Sequence, residues 1–261
     1  MALSPSSSSS EGDETWVVDL DGVVWLAEEP IQGSAQAVDR LRDAGIHVLF
    51  ATNNAAPTVA ELRGRLSRAG LTVAEDDLVT SAQAAASMLE PGTTAFPCAE
   101  GGVVEALEQQ GVEVVSGDAV DAVIVGWTRR FDFDLMATAA TLVRNGARLI
   151  GTNEDPTHPT PRGLLPGSGA LLAAVATAAQ TEPEVAGKPH EPMVSLLKRR
   201  APGATLVVGD RPSTDGALAR RLGLPFALVR SGVTSDGREP IVVEPDEVAD
   251  DLAALVEHHL S

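Results

Sequence analysis

The chain has 261 residues, is 44% hydrophobic but only 3% aromatic, and contains no Tyr, so one large domain or two moderate ones could each bury a core built mostly of Ala, Val and Leu. Its formal net charge of −18 argues against nucleic acid or an anionic membrane as partner, because neither polyanion would be drawn to such a surface. The single cysteine, Cys98, excludes an intrachain disulfide and a Cys-based zinc site and fits a reducing cytoplasm.

Residues 1–14 are Ser-rich and carry neither a basic nor an apolar signal segment, so they read as a disordered tail. The longest apolar run, Leu171 to Ala179, is too short to span a bilayer, and a soluble protein is expected. Trp16 to Trp25 is an apolar, β-branched run that delivers Asp19 and Asp21 to its own end, with Gly22 directly after. Two close carboxylates repel each other and resist desolvation, so an Asp-Gly hairpin turn competes with a functional site. The following Ala27-Glu28-Glu29-Pro30 reads as a loop rather than a second strand, which favours a site that needs a cation.

A helix over Ser34 to Ala44, ended by Gly45, and a strand over Ile46 to Phe50 complete a βαβ unit and imply a parallel sheet. The second strand runs out into Thr52-Asn53-Asn54, and a helix follows over Val59 to Ala69. From Ser81 the alternation continues with a helix to Leu89, strands at Thr93 to Phe96, Val112 to Val115, Ala122 to Val125 and Arg148 to Ile150, and helices through Val103 and Leu107 and over Asp132 to Arg144. Gly151 to Gly169 reads as a long loop of the kind that usually has a function, followed by a helix to Ala179 and a polar link over Thr181 to Ala186. The series ends with Gly187-Lys188-Pro189 and a helix to Arg200, a strand at Thr205 to Val208 closed by Gly209-Asp210, a helix over Ser213 to Leu222, a strand at Phe226 to Val229 and a helix over Val248 to Leu260.

Right-handed parallel connections bring the strand ends to one edge, so Asp19, Asp21, Thr52, Asn53 and Asp210 should meet there with Lys188. That inventory suits phosphoryl transfer. Magnesium takes an octahedral shell of oxygens, for which Asp19 and Asp210 are natural ligands. A carboxylate can attack phosphorus to give an acyl-phosphate, a second acid can protonate the leaving alkoxide and activate water, and Lys188 and Thr52 can hold the non-transferring oxygens.

Asp19-Leu-Asp21-Gly-Val, Ala-Thr52-Asn53-Asn54, Gly-Lys188-Pro and Gly-Asp210-Arg-Pro-Ser-Thr-Asp215 together resemble the four ordered motifs of the haloacid dehalogenase (HAD) superfamily. The chain is most similar to its IIA branch, which contains NagD-like, p-nitrophenylphosphate, phosphoglycolate and glycerol 3-phosphate phosphatases. The resemblance covers nearly everything from Thr15 onward. It implies an α/β fold with a Rossmann-like parallel core at 15–80 and 183–261 and an inserted α/β cap of the C2 type at 81–182. It implies Asp19 as nucleophile and Asp21 as general acid/base, with Mg2+ held by Asp19, the Asp21 carbonyl, Asp210 and, through water, Asp215. Thr52, Asn53 and Lys188 would bind the phosphoryl group. The loop from Asn153 to Gly169 resembles that of actinobacterial glycerol 3-phosphate phosphatases and makes Asn153, Asp155 and Arg162 substrate-contact candidates. Pro212 and Gly216 depart from the branch pattern and bear on how Asp215 is aimed.

The resulting expectation is a Mg2+-dependent phosphatase acting through an aspartyl-phosphate on a small phosphorylated metabolite. Glycerol 3-phosphate or 2-phosphoglycolate comes first; nucleotide and sugar phosphates, or a catalytically silent metabolite-binding protein of the same fold, are the alternatives. A dehalogenase would need neither magnesium nor Asp21. The branch often forms homodimers through its caps, which leaves a homodimer open. Individual residues have plainer readings: Thr52 to Asn54 as a helix N-cap, Asn153 and Asp155 as loop-shaping Asx turns, Arg211 as a salt-bridge partner or a substrate ligand, and His158 as a solvated loop residue.

Overall fold

The computed structural model describes residues 14–26, 29–117, 119–160, 163–232 and 242–261, so the tail expected over 1–14 lies, save for Glu14, outside the described residues. Strand β1 (Thr15–Val18) leads through a tight turn into an antiparallel hairpin, β2 (Trp25–Leu26) and β3 (Glu29–Pro30), then α1 (Ser34–Asp43), β4 (His47–Thr52), α2 (Val59–Arg68) and β5 (Leu78–Thr80). Next come α3 (Ser81–Ala86), β6 (Thr94–Cys98), α4 (Gly101–Gln109), β7 (Glu113–Val114), β8 (Ala122–Val125), α5 (Phe133–Arg144) and β9 (Arg148–Gly151). A hairpin of β10 (Thr157–Thr160) and β11 (Gly163–Pro166), α6 (Ser168–Ala179) and β12 (Glu184–Val185) follow. The chain closes with α7 (Glu191–Arg200), β13 (Ala204–Gly209), a π-turn over Pro212–Gly216, α8 (Ala217–Leu222), β14 (Phe226–Val229), β15 (Glu247–Ala249) and α9 (Leu252–His259).

Six strands in the order β15-β14-β13-β1-β4-β5 form one sheet and five in the order β12-β9-β8-β6-β7 a second, with parallel pairing throughout both. This is the expected α/β architecture, a Rossmann-like core with an inserted α/β cap. Parallel sheets are covered on both faces, and β1, β8 and β14 are accordingly buried at every residue. Trp16 and Val18 pack with Leu62 and Leu66 of α2 and Leu252 and Leu255 of α9, while Val17 points to the opposite face. That second face is shared: Ala84 and Ala85 of α3, Leu107 of α4, Ile124 of β8 and Ile150 of β9 lie in one apolar cluster with Val17, Val194 and Leu197. The alanines of α3 let neighbouring helices come close, so core and cap are joined by packing as well as by chain.

Several short elements differ from expectation. The segment after Trp25 is not a plain loop but the β2–β3 hairpin, the loop over Gly151 to Gly169 carries the β10–β11 hairpin, and the polar link contains β12. The last helix begins only at Leu252, after β15, and the helix from Ser81 ends at Ala86. β5, β12 and β15 are sheet-edge strands with one neighbour each, and the last two contain Glu. Tertiary pairing rather than a hydrophobic period specifies them.

Candidate active site

β1 lies between β13 and β4, at the point where strand order reverses, and open α/β sheets bind ligands outside the carboxyl ends of such strands. In register, Val18 stands beside Val208 on one side and Phe50 on the other, so the residues just beyond, Asp19, Asp210 and Thr52, emerge on one edge. The Asp19 N–H still donates to the Val208 carbonyl at 2.9 Å, which fixes where its side chain starts.

Lys188 arrives from the other sheet. β12 passes into Ala186, whose N–H donates to Gly151 at 2.9 Å, and the chain then turns into the site. The Lys188 ammonium is 2% exposed and contacts Asp19 Oδ1 at 2.7 Å, Asp215 Oδ1 at 2.7 Å and the Ala51 carbonyl at 2.9 Å. An ammonium has three protons, and these three acceptors use them all. Burial alone would depress the lysine's pKa, but the two carboxylates outweigh it and hold the group above its usual range.

Asp19, Asp210 and Asp215 each place one carboxylate oxygen within 4.8 Å of the others. Burial pushes the Asp19 carboxyl well above the usual carboxylate range; Lys188 opposes this, and Asp215, Asp210 and Asp21 add to it. Three convergent acids around one fixed ammonium, more negative charge than the ammonium alone can offset, form a donor set that a hard divalent cation fits. Glycines make room for it: a Cβ on Gly22 or Gly232 would collide with the Asp210 carboxylate, and one on Gly209 with Asp215. Gly22 also has φ +86°, a conformation other residues resist. Gly232 is not anticipated from sequence, because nothing in its surroundings marks it before the fold brings it to Asp210.

Pro212 and Gly216 now have reasons. Pro212 opens the π-turn, in which the Asp215 N–H donates to the Arg211 carbonyl at 2.8 Å and the Arg211 N–H returns a bond to Asp215 Oδ2 at 3.2 Å. This aims Asp215 Oδ1 at Lys188. A Cβ on Gly216 would stand 3.1 Å from the Phe226 ring, so a larger residue there would have to displace it. π-turns within helices concentrate at functional sites.

Asp21 is separated from the acid cluster by its partners. Its Oδ1 accepts the indole N–H of Trp25 at 3.0 Å and its Oδ2 faces the Thr52 hydroxyl at 3.4 Å. Thr52 in turn accepts the Asn54 N–H at 3.0 Å, a local turn rather than the expected helix N-cap, since α2 is capped by Thr58. In the sequence Trp25 is only part of an apolar run; its indole nitrogen is the polar handle that a buried Trp normally satisfies.

The Asn53 side chain cross-links two motifs. Its Oδ1 accepts the Lys188 N–H at 2.7 Å, while its Nδ2 donates to the Lys188 carbonyl and to Asp155 Oδ2, both at 3.2 Å. Asn153 donates to the Asn53 carbonyl at 2.7 Å and to Ser168 Oγ at 3.3 Å, and accepts the Asp155 N–H at 3.1 Å, so it is an Asx turn that also clasps the loop to the core. Asp155 Oδ1 pairs with Arg211 Nη1 at 3.2 Å, and burial raises its pKa against the pull of Arg211. His158 is not simply solvated: its ring lies 5.5 Å from that of Trp127, and both border the site. Arg162 lies outside the described residues. Asp19, Asp21, Asn53, Asn153, Asp155, Lys188 and Asp210 all line one cavity of about 80 Å³.

Comparison with known proteins agrees with this geometry. Residues 16–113 match the model of the haloacid dehalogenase-like hydrolases and residues 185–255 that of the HAD-hydrolase-like proteins. The chain is 36% identical over 259 residues to D-glycerol 3-phosphate phosphatase of Mycobacterium tuberculosis, covering 95% of this chain and 72% of that one. It is 33% identical to dihydroxyacetone phosphatase of Corynebacterium glutamicum, covering 93% and 90%. The crystal structure of the M. tuberculosis glycerol phosphate phosphatase in complex with magnesium superposes with a TM-score of 0.83 at 35% identity, over 92% of this chain and 75% of that one. The chain belongs to the haloacid dehalogenase-like hydrolases, and its relatives are those of the IIA branch.

Proposed function

We propose that the chain is a magnesium-dependent phosphatase that cleaves a small phosphomonoester through an aspartyl-phosphate on Asp19. The observation that carries this reading is the convergence of Asp19, Asp210 and Asp215 around Lys188 with Asp21 alongside, in a chain whose relatives are named phosphatases. Asp19 and Asp210 would hold Mg2+ directly, with the Asp21 carbonyl, and Asp215 through water; bound there, the cation supplies charge neutralisation of the phosphoryl oxygens. Asp19 forms its bond to phosphorus as the ester P–O bond breaks, and the proton of Asp21 passes to the departing alkoxide. In the second half Asp21, now a carboxylate, takes a proton from water; the water oxygen bonds to phosphorus, the Asp19–phosphorus bond breaks, and inorganic phosphate leaves. Lys188 keeps Asp19 aimed and offsets the charge of the cluster, and Thr52 and Asn53 bind the phosphoryl group from the end of β4. The Asn53 side chain is already engaged with Lys188 and Asp155, which favours its main chain for that contact.

The leaving group would sit toward Asp155, Arg211, Trp127 and His158. A carboxylate there would compete with Asp155 for Arg211 and face Asp155 as a like charge, whereas a hydroxyl can accept from Arg211 and donate to Asp155. This supports glycerol 3-phosphate or dihydroxyacetone phosphate, the substrates in the relatives' names, over 2-phosphoglycolate. The test is a phosphate-release screen with Mg2+: the two polyol-type phosphates should exceed 2-phosphoglycolate by about tenfold or more in kcat/KM, the size of a ~1.4 kcal/mol difference. Preference for 2-phosphoglycolate would reverse the substrate assignment, and tight binding without release from any ester would replace the enzyme by a silent sensor. Asp19→Asn should abolish release while leaving the fold intact.

We place the cap at 81–182 and the core at 15–80 and 183–261, with the return to the core moved to just after Val185 because β12 pairs with β9 of the cap sheet. A homodimer formed through the cap and a cytoplasmic location complete the reading, the second supported by a composition with one cysteine, buried. No described helix is long and apolar enough to cross a membrane.

A further inference from the structure

We propose that Trp25 is a positioning residue for the proton transfer: its indole N–H fixes the rotamer of Asp21 and so which oxygen of that carboxyl faces the reacting atoms. The inference rests on Asp21 being the general acid/base. Trp25 is 7% exposed, and its Nε1 lies 3.0 Å from Asp21 Oδ1. The backbone leaves the indole little choice. The Gly22 N–H donates to the Trp25 carbonyl at 2.6 Å and the Trp25 N–H to the Leu20 carbonyl at 3.2 Å, so Asp21 and Trp25 face each other across one tight turn at the mouth of the β2–β3 hairpin.

An indole N–H donates and never accepts. Asp21 Oδ1 is therefore held as an acceptor by the indole, and Oδ2 accepts the longer bond from the Thr52 hydroxyl at 3.4 Å. Thr52 stands at the end of β4 beside the nucleophile's strand, so indole and hydroxyl together hold the Asp21 carboxyl in one orientation at the wall of the cavity that Asp21 lines. With Trp25 in place, Asp21 presents one defined oxygen to the leaving alkoxide in the first half-reaction and the same oxygen to water in the second. Without the indole donor the carboxyl can rotate, and neither oxygen is held at hydrogen-bond distance from the reacting atoms. Proton transfer depends on heavy-atom geometry at hydrogen-bond distance, so the loss appears in kcat rather than in binding. Leu26, the next residue, lines the cavity, so the hairpin that sets Asp21 also walls the leaving-group end.

The experiment compares leaving groups. Trp25→Phe keeps an aromatic ring and removes the donor; replacement by benzothienylalanine keeps the indole shape and removes only the N–H. With glycerol 3-phosphate, whose alkoxide needs a proton to leave, each should lower kcat about tenfold with KM within about twofold. With p-nitrophenyl phosphate, whose anion leaves without a proton, phosphoenzyme formation in a single turnover should stay within about twofold of the parent, while its hydrolysis slows. A benzothienylalanine protein with parent kcat on glycerol 3-phosphate overturns the proposal in favour of simple packing, as does equal slowing of phosphoenzyme formation from both esters. Should Trp25→Phe fold poorly, the isosteric replacement decides alone. Asp21→Asn distinguishes failure of the underlying reading: if it leaves the parent rates unchanged, Asp21 is not the acid/base and the inference falls with that role.

Discussion

Two cations enter the cavity, and they are held in opposite ways. Lys188 is 2% exposed, with every proton committed to atoms on the core's own strand ends and π-turn. Arg211 is 20% exposed and holds Asp155, which belongs to the loop between β9 and β10 of the cap. The first contact is internal to the machinery, and the second bridges core and cap. A buried charge with fixed partners cannot be removed without stranding them, whereas a partly solvated pair that spans two units is free to be exchanged for a substrate's hydroxyl or phosphoryl oxygen. The proposed function thus pairs a permanent electrostatic frame with a contact that the leaving group would exchange.

The sharpest way to break that comparison is Lys188→Met. It leaves Asp19 and Asp215 buried without their ammonium, a class of change that costs about 3–5 kcal/mol. We expect a fall of that order in urea denaturation of the metal-free protein and a loss of phosphate release of about 10²- to 10³-fold, of the order seen when an electrostatic donor is removed from an active site. Retention of kcat within tenfold would show that the frame does not depend on the lysine.

Next in size is the response to pH and metal. Asp19 and Asp155 have folded-state pKa values raised above the unfolded carboxylate value of about 3.9. Between the unfolded and the raised value the folded chain binds more protons than the unfolded one, so the stability of metal-free protein rises as pH falls through that window. Lys188, also raised, contributes stability that is present below about 10.4 and lost as pH climbs through its folded value, so it does not shape this range. Added Mg2+ favours ionised Asp19 and should reverse its share of the slope, while chelation should stop turnover. Thermal unfolding across pH with chelator or with Mg2+ checks this, and Asp19→Asn should shrink the difference between the two curves. Parallel curves in the unaltered protein would remove Asp19 from the metal shell.

What could be read from sequence follows the same divide. Asp19, Asp21 and Asp210 were legible because an acid directly after an apolar β-branched run sits at the end of a buried strand, where an uncompensated charge is costly and a cation relieves it. Lys188 became legible only in their company. The core sheet was legible because its strands are buried on both faces and its helices keep their period. The short elements were not: Glu184–Val185 and Glu247–Ala249 are too short and too polar to show a pattern, and only their neighbours in the sheet make them strands. Trp25 was hidden in a different way, since its ring fits an apolar run and its one polar atom acquires meaning only when the turn at Gly22 folds it back on Asp21. The cap loop divided its candidates, with Asn153 spent on an Asx turn and a clasp to Asn53, and Asp155 left facing the cavity.

The smallest effect, and the one that most sharpens the contrast, should come from Asp155→Asn. The amide keeps the size of the carboxyl and can still accept a bond from Arg211, but it removes the charge that competes with an anionic leaving group. Because the pair is about one-fifth exposed on both sides, its loss should change stability by no more than about 1 kcal/mol. The kcat for glycerol 3-phosphate should stay within about twofold, since Asp155 neither attacks phosphorus nor moves a proton, while KM rises about three- to tenfold through loss of a charged hydrogen-bond acceptor. The KM for 2-phosphoglycolate should move the other way, because a neutral amide competes less with its carboxylate for Arg211 and does not repel it. Steady-state kinetics on the two esters reads this as a crossing of specificity at nearly constant kcat. A fall in kcat comparable to that of Lys188→Met would mean that the bridge to the cap is part of the rigid frame and that no exchangeable contact exists at this end of the site.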